Sequence, residues 1–298
     1  MRELIDLMAA TLAGFSSGKV EQPVRSVIEV GPHALFASMP SYIKTIPALG
    51  AKLVTVFGSN TEKGLPTHLA TILLLDPATG ALLAVMDGRY ITEARTAAVS
   101  AVSTRLLARP EASVLALIGS GVQARSHLRA LPLVRDFREI RCWSPTRANL
   151  ERFVAENTQV RLAETAREAV DGADVIALVT SSAEPVIQDD WVRPGAHVIS
   201  VGACRPNQRE IDPPLLARAR LIVDSRTAAL KESGDIVMGI DEGRFTADHI
   251  RAELGEVVLN SSNRREAKTE ITVFKSLGLA CEDVAAAECV VRLNTVAT

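Results

Sequence analysis

Gly119-Ser120-Gly121-Val122-Gln123-Ala124 is the stretch whose residue types and spacing point most directly to chemistry. The aliphatic run Val114–Ile118 leads into it, and a helix-compatible stretch follows as far as Leu131, where Pro132 stops it. Buried strand, tight glycine turn and helix, in that order, form a receptor for a dinucleotide, here with Ala124 in place of the third glycine. Gly119 permits a backbone turn closed to residues with a Cβ, and Gly121 lets the main chain approach a pyrophosphate. The helix behind them offers unpaired N–H groups and the positive end of its dipole to that anion. A glycine turn between any strand and helix has the same letters, so the flanking elements have to decide.

Three further residues stand out by their neighbours. Lys52 opens the apolar run Leu53-Val54-Thr55-Val56-Phe57, where a charge has to be used or hidden. Arg95 sits among Ala94, Thr96, Ala97 and Ala98, which are too small to suggest an exposed helix face. A lone Arg or Lys is otherwise a solvated surface charge. Cys204 reads as a small buried residue at a strand end rather than a nucleophile. With Cys142, Cys281 and Cys289 it forms no CxxC pair, so neither a metal site nor a disulfide framework is expected. His68 reads as structural, and the other four histidines carry no assigned role.

The elements that must hold these residues change character along the chain. Residues 1–19 suit an amphipathic helix, with Leu4, Ile5, Met8 and Leu12 on one stripe. Arg25–Val30, Ala34–Met39, Ala51–Phe57, Thr71–Leu75 and Ala81–Met86 read as strands, and a Gly31-Pro32 turn separates the first two. This alternates little with helix and predicts a mostly antiparallel layer. An Ala-rich helix over Thr92–Leu107 follows. From there the rhythm becomes βαβ, with strands at Val114–Gly119, Glu139–Trp143, Asp174–Thr180, His197–Gly202 and Leu221–Asp224. Helices at Ala124–Leu131, Arg147–Glu156 and Thr165–Val170 lie between the earlier ones, and Gly278–Leu293 is a final helix. The fold class expected is α/β: a Rossmann-type doubly wound parallel sheet inserted in a mixed α+β domain. The expected division is 1–100 plus 271–298 against 101–270.

Composition excludes several classes. The 298 residues are 47% hydrophobic and only 4% aromatic, with a net charge of −2, so no pull towards nucleic acid or an anionic membrane is expected. No apolar stretch reaches the roughly 18 residues of a membrane span. The acids in Met1-Arg2-Glu3-Leu4-Ile5-Asp6 do not suit a signal peptide, so a soluble, cytoplasmic protein is expected.

Many collinear motifs resemble the ornithine cyclodeaminase/mu-crystallin family, and they fit its mu-crystallin branch better than the cyclodeaminases proper. They include Gln22-Pro23-Val24-Arg25, Met39-Pro40-Ser41-Tyr42, Lys52-Leu53-Val54-Thr55, Val85-Met86-Asp87-Gly88 and Thr92-Glu93-Ala94-Arg95-Thr96. The series continues with the glycine turn, Gly202-Ala203-Cys204-Arg205-Pro206, Lys231-Glu232-Ser233-Gly234-Asp235 and Val273-Phe274-Lys275-Ser276-Leu277-Gly278. The resemblance implies a homodimer, a nicotinamide cofactor, and a domain of N- and C-terminal segments that serves substrate binding and dimerisation. It casts Arg25 and Lys52 as the pair holding a substrate carboxylate, a task suited to a planar fork and a compact charge. Thr67 and Arg95 would meet the cofactor, as would Gly119, Ser120, Gly121, Val122, Gln123, Thr180, Val201, Ser276 and Leu277.

The second strand of the dinucleotide unit leads into Ser144-Pro145-Thr146-Arg147 with no acid to hold an adenine ribose. Ser144, Thr146 and Arg147 could receive a 2′-phosphate, which favours NADP(H), with NAD(H) possible; Pro145 stands where mu-crystallin relatives place Arg. At position 204 the cyclodeaminases proper carry an aspartate and mu-crystallin relatives a serine. A thiol does not replace a carboxylate that must relay a proton near neutral pH. The function implied is therefore an NAD(P)H-dependent reductase of a cyclic imino acid, Δ1-pyrroline-2-carboxylate or Δ1-piperideine-2-carboxylate. The alternatives are ornithine cyclodeaminase, an alanine dehydrogenase-type enzyme, and a non-catalytic small-molecule-binding protein.

Overall fold

The computed structural model describes residues 1–32 and 34–295; His33 and residues 296–298, the end of the expected first domain, lie outside it. Two compact units make up the chain, one of Glu3–Thr96 with the segment from Gly278 onward, the other of Ala97–Leu277 with Met1–Arg2. The first contains α1 (Arg2–Ser16), β1 (Val20–Glu21), β2 (Ser26–Gly31), β3 (Ala34–Ile43), β4 (Ala48–Phe57), β5 (His68–Leu75) and β6 (Leu82–Asp87). Its strands form an antiparallel sheet in the order β1-β3-β4-β5-β6, with β2 also pairing β3. The helix α2 (Gly88–Leu107) starts in this unit and runs into the next. It begins four residues earlier than its composition suggested.

The second unit carries β7 (Val114–Ile118), α3 (Val122–Ala130), β8 (Glu139–Trp143), α4 (Arg147–Glu156), β9 (Val160–Leu162), α5 (Ala166–Val170), β10 (Val175–Leu178) and β11 (His197–Ser200). Then come α6 (Pro213–Arg218), β12 (Arg220–Val223), α7 (Arg226–Glu232), α8 (Gly234–Asp241), β13 (Ile250–Glu253), α9 (Leu254–Leu259) and β14 (Thr272–Lys275). The last helix, α10 (Ala280–Thr295), returns to the first unit. These eight strands are parallel, in the order β13-β12-β14-β11-β10-β7-β8-β9. The sequence order reverses between β7 and β10, the switch point at which doubly wound sheets open a crevice. Because β14 lies inside this sheet, the chain leaves it after Leu277, not near residue 270.

The core of the parallel unit is aliphatic, with Ala116, Ile118, Ile176, Leu178, Val198 and Val273 among its fully buried side chains. Such strands, covered on both faces, need no polar alternation. In the antiparallel unit Ala37, Met39, Val54 and Ala70 pack with Ala280 of α10. No helix among the described residues is long and apolar enough to cross a membrane.

Candidate active site

Strand β4 alternates strictly, with Ala48, Gly50, Lys52 and Val54 on its covered face. Helix α10 packs across β3, β4 and β5. Gly50 allows the close approach: a Cβ there would stand 2.4 Å from the Leu73 carbonyl oxygen and 3.3 Å from Val284 Cγ2. Strand parity places Lys52 on the same face. The residue is 2% exposed, so the ammonium needs a counter-charge.

Asp283, in the first turn of α10, supplies it. Lys52 Nζ lies 2.6 Å from Asp283 Oδ2. Arg95 Nε donates to Asp283 Oδ1 at 3.0 Å, and Arg95 Nη1 donates to Glu282 Oε2 at 2.6 Å. Both carboxylates are fully buried, at a helix N-terminus whose dipole favours negative charge. The turn before the helix is fastened as well. Gly278 has φ +82, and a Cβ on it would come within 2.6 Å of Arg95 Nη1. Arg25 Nη2 donates to the Gly278 carbonyl at 3.0 Å, while the Cys281 N–H donates to Gln22 Oε1 at 2.9 Å.

Charge in this cluster is finely set. Burial lowers Lys52 to about 8, the Asp283 carboxylate opposing that fall and the Arg95 guanidinium adding to it. Burial works against the charged Asp283, but Arg95 and Lys52 outweigh it and hold the carboxyl below its ordinary range. The surrounding atoms, and then the cations Lys52 and Arg95, lower His68 to about 4, so this solvent-touching imidazole is neutral at pH 7. Lys52 and Arg95 face Glu282 and Asp283, and the half-buried Arg25 stands beside them on the Gly278 carbonyl. Thr67 sits on the surface just before β5, its carbonyl accepting from the Phe57 N–H at 2.8 Å.

In the parallel unit the glycine turn has the geometry that a dinucleotide requires. Gly119 has φ +114, and a Cβ there would meet the Val179 carbonyl oxygen at 2.6 Å. Gly121 is extended, caps α3, and has nothing within 4 Å of where its Cβ would be. One glycine is thus needed by the fold and the other leaves open space at the helix N-terminus. Ser120 is buried, Val122 exposed, and the half-buried Gln123 accepts at its carbonyl from His127. These residues fit a pyrophosphate.

Along the crevice, Ser144 follows β8, and Thr146 caps α4 with Arg147 next to it. Arg147 is bound by two carboxylates, Glu151 at 2.7 Å and Glu164. On the other side of the switch point, Thr180 Oγ1 donates to Glu210 Oε2 at 3.2 Å, and the Val201 N–H donates to the Leu178 carbonyl at 3.0 Å. Ser276 and Leu277 are buried beyond β14, the Leu277 N–H donating to Asp224 Oδ2 at 2.5 Å. Cys204 is half-buried on the loop after β11, which ends at Ser200 and not at Gly202, and its thiol donates to the Val201 carbonyl at 3.2 Å.

The sequence reading passed over Glu282 and Asp283, although two adjacent acids inside Gly278–Ala287, otherwise apolar, carry the signal that singled out Lys52. It also gave no role to Glu210, Asp235 and Lys275, which are buried together in the parallel unit.

Comparison with known proteins places the chain among relatives over nearly its whole length. The family model of the ornithine cyclodeaminase/mu-crystallin family matches residues 1–295. Ketimine reductase mu-crystallin of Mus musculus is 47% identical over 96% of this chain and 90% of its own length. The structure of Thermococcus litoralis Δ1-pyrroline-2-carboxylate reductase in complex with NADH and L-proline superposes with a TM-score of 0.94 at 40% identity, covering 97% of this chain and 91% of that one. An archaeal alanine dehydrogenase dimer with bound NAD gives 0.92 at 32% identity, covering 98% and 91%.

Proposed function

The chain belongs to the ornithine cyclodeaminase/mu-crystallin family, and from that premise we propose that it reduces a cyclic imino acid. The substrate class is Δ1-pyrroline-2-carboxylate or Δ1-piperideine-2-carboxylate, and the products are proline or pipecolate. It is an oxidoreductase acting on a C=N bond with a nicotinamide cofactor, as its reductase relatives are named to be. When bound, the dinucleotide supplies the hydride that adds to the imine carbon.

The protein's own residues have separate tasks. Gly119, Gly121 and the first turn of α3 receive the pyrophosphate. Arg25 and Lys52 hold the substrate carboxylate, and Arg95 fixes the acids that keep Lys52 in place. Lys52 is also poised to give a proton to the imine nitrogen, since its ammonium loses that proton near pH 8. The observation that carries the reading is the buried Lys52–Asp283–Arg95 cluster, in which a strand ammonium and a helix guanidinium share one carboxylate at 2.6 and 3.0 Å. Deamination of ornithine would call for a carboxylate where Cys204 stands, which counts against the cyclodeaminase alternative.

NADP(H) is our preferred cofactor over NAD(H), on the strength of Ser144, Thr146 and Arg147 and the lack of an acid after β8. A homodimer is supported by the exposed apolar side chains of β2 and β6, two edges of the antiparallel sheet. The deciding experiment follows reduced-nicotinamide absorbance with NADH and NADPH against both cyclic imines. Controls are L-ornithine, and an open-chain 2-oxo acid with ammonia. Oxidation with an imine alone is expected; activity confined to either control would replace this reading.

A further inference from the structure

A second ionic cluster lies in the parallel unit, apart from every residue given a role so far except Thr180. Glu210 Oε1 accepts from Ser200 Oγ at 2.8 Å and from the Gly202 N–H at 2.7 Å, and its Oε2 accepts from Thr180 Oγ1 at 3.2 Å. Lys275 Nζ donates to Ser200 Oγ at 2.9 Å and lies 2.9 Å from Asp235 Oδ2. Asp235 Oδ1 in turn accepts from the backbone N–H groups of Glu210 at 2.9 Å and Ile211 at 3.0 Å. Glu210, Lys275 and Asp235 are 0%, 1% and 4% exposed. Taking three ionisable groups out of water costs more than packing apolar residues of the same volume, so stability alone does not account for them.

Their position supplies an account. Thr180 lies just past β10, Ser200 ends β11, and Lys275 ends β14, three strands adjacent in the sheet. All three ends are carboxyl ends, on the far side of the switch point from β8. A dinucleotide whose pyrophosphate rests on the β7–α3 turn extends its adenosine towards β8 and its nicotinamide towards β10 and β11. The loops there are packed backbone to backbone. A Cβ on Gly202 would fall 1.9 Å from the Thr180 carbonyl oxygen and 2.5 Å from Glu210 Oε2. A Cβ on Gly234, next to Asp235, would fall 2.0 Å from the Gln208 carbonyl oxygen.

We propose that Glu210, Lys275 and Asp235 are positioning residues that lock the loops after β10, β11 and β14 into the surface receiving the nicotinamide half of the cofactor. The proposal rests on the dinucleotide reading above. Glu210 is the hub, because its carboxylate ties β10, β11 and the following loop together, while Lys275 and Asp235 hold the backbone on which it sits. Burial, opposed by the Lys275 charge, raises the Glu210 carboxyl above its ordinary range, in keeping with a group that depends on its partners.

The test compares two ligands on the full-length protein by calorimetric titration: the reduced dinucleotide, and ADP-ribose, which lacks the nicotinamide. Glu210→Gln is expected to weaken binding of the dinucleotide about tenfold while leaving ADP-ribose within about twofold. Bound-nicotinamide fluorescence should shift towards that of the free cofactor. Ser200→Ala, which removes the hydroxyl between Lys275 and Glu210 without changing charge, is expected to move the same ratio in the same direction, and it decides the matter if Glu210→Gln does not fold. Equal weakening of both ligands, or of neither, overturns the proposal. Failure of the unaltered protein to bind either ligand overturns the dinucleotide reading itself, which keeps the two failures apart.

Discussion

Lys52 and Asp283 meet 2.6 Å apart with side chains 3% and 0% exposed, one from the middle of a strand and the other from the first turn of the last helix. The pair couples fold to chemistry. Strand parity sends the ammonium inward, and Gly50, two residues before it, lets the helix come close enough to answer the charge. Arg95 then holds the shared carboxylate from its other side at 3.0 Å.

Activity on a cyclic imine is expected to fall as pH rises through about 8, where Lys52 loses its proton. Asp283 opposes the burial that lowers Lys52, so Asp283→Asn should move this alkaline limb to lower pH. The variant should also lose about tenfold or more in kcat/KM at pH 7. A pH–rate profile in which the limb stays where it was would detach Asp283 from Lys52.

The two glycines of the turn should fail differently. Gly119→Ala forces a Cβ against the Val179 carbonyl at φ +114, and is expected to cost about 1–3 kcal/mol of stability or more. Gly121→Ala meets open protein space. Its melting temperature should hold while the KM for the dinucleotide rises about tenfold. Thermal melts alongside cofactor titrations separate the two effects.

Two buried histidines should make the fold acid-sensitive. Burial lowers His127 to about 4, and burial with the Arg265 charge lowers His197 to about 3. Each bonds a serine of α2, His127 Nε2 with Ser100 Oγ at 2.8 Å and His197 Nε2 with Ser103 Oγ at 3.1 Å. The unfolded chain binds protons from about pH 6.5 downward, before the folded one does. Their share of stability is therefore complete above about 6.5 and is lost as pH falls towards 4 and then 3. Calorimetry against pH should show a shallower acid slope for His127→Gln than for the unaltered protein.

Arg147→Ala is expected to lower kcat/KM with NADPH several-fold and leave NADH nearly unchanged. The salt bridges of Arg147 with Glu151 and Glu164 must yield to a 2′-phosphate, so the preference should be modest and should grow in Glu164→Gln. Steady-state assays with both cofactors read this directly; equal loss with both would assign Arg147 to structure.

Ile28→Asp, on a strand with Val27, Ile28 and Val30 48%, 60% and 58% exposed, is expected to shift the protein from dimer to monomer in light scattering. An unchanged mass would move the interface elsewhere.

Some elements could be read from the sequence because local pattern and tertiary demand coincide. Glu139–Trp143 and Arg147–Glu156 take the bounds their patterns suggest. The doubly wound class follows from aliphatic strands alternating with helices. The strand β14 was missed because Thr272-Val273-Phe274-Lys275 has only two apolar residues and sits at the centre of a sheet by topology alone. The edge strands β9 and β13 are short and carry charges, Arg161 in one and Arg251 in the other, which no period-2 pattern selects. At the site, Lys52 was visible as a charge inside an apolar run. Its partner was not, because nothing local says that residue 283 will reach it.

Because the sheet's inward-facing ammonium is answered by a carboxylate about 230 positions further on, Lys52 meets its counter-charge only after the whole parallel unit has been synthesised. At ~5–20 residues per second that is a wait on the order of 10–50 s, during which the segment Ala97–Leu277 emerges with its own strands and core complete. Helix α10 thus follows the parallel unit in the chain and closes the antiparallel one over Lys52.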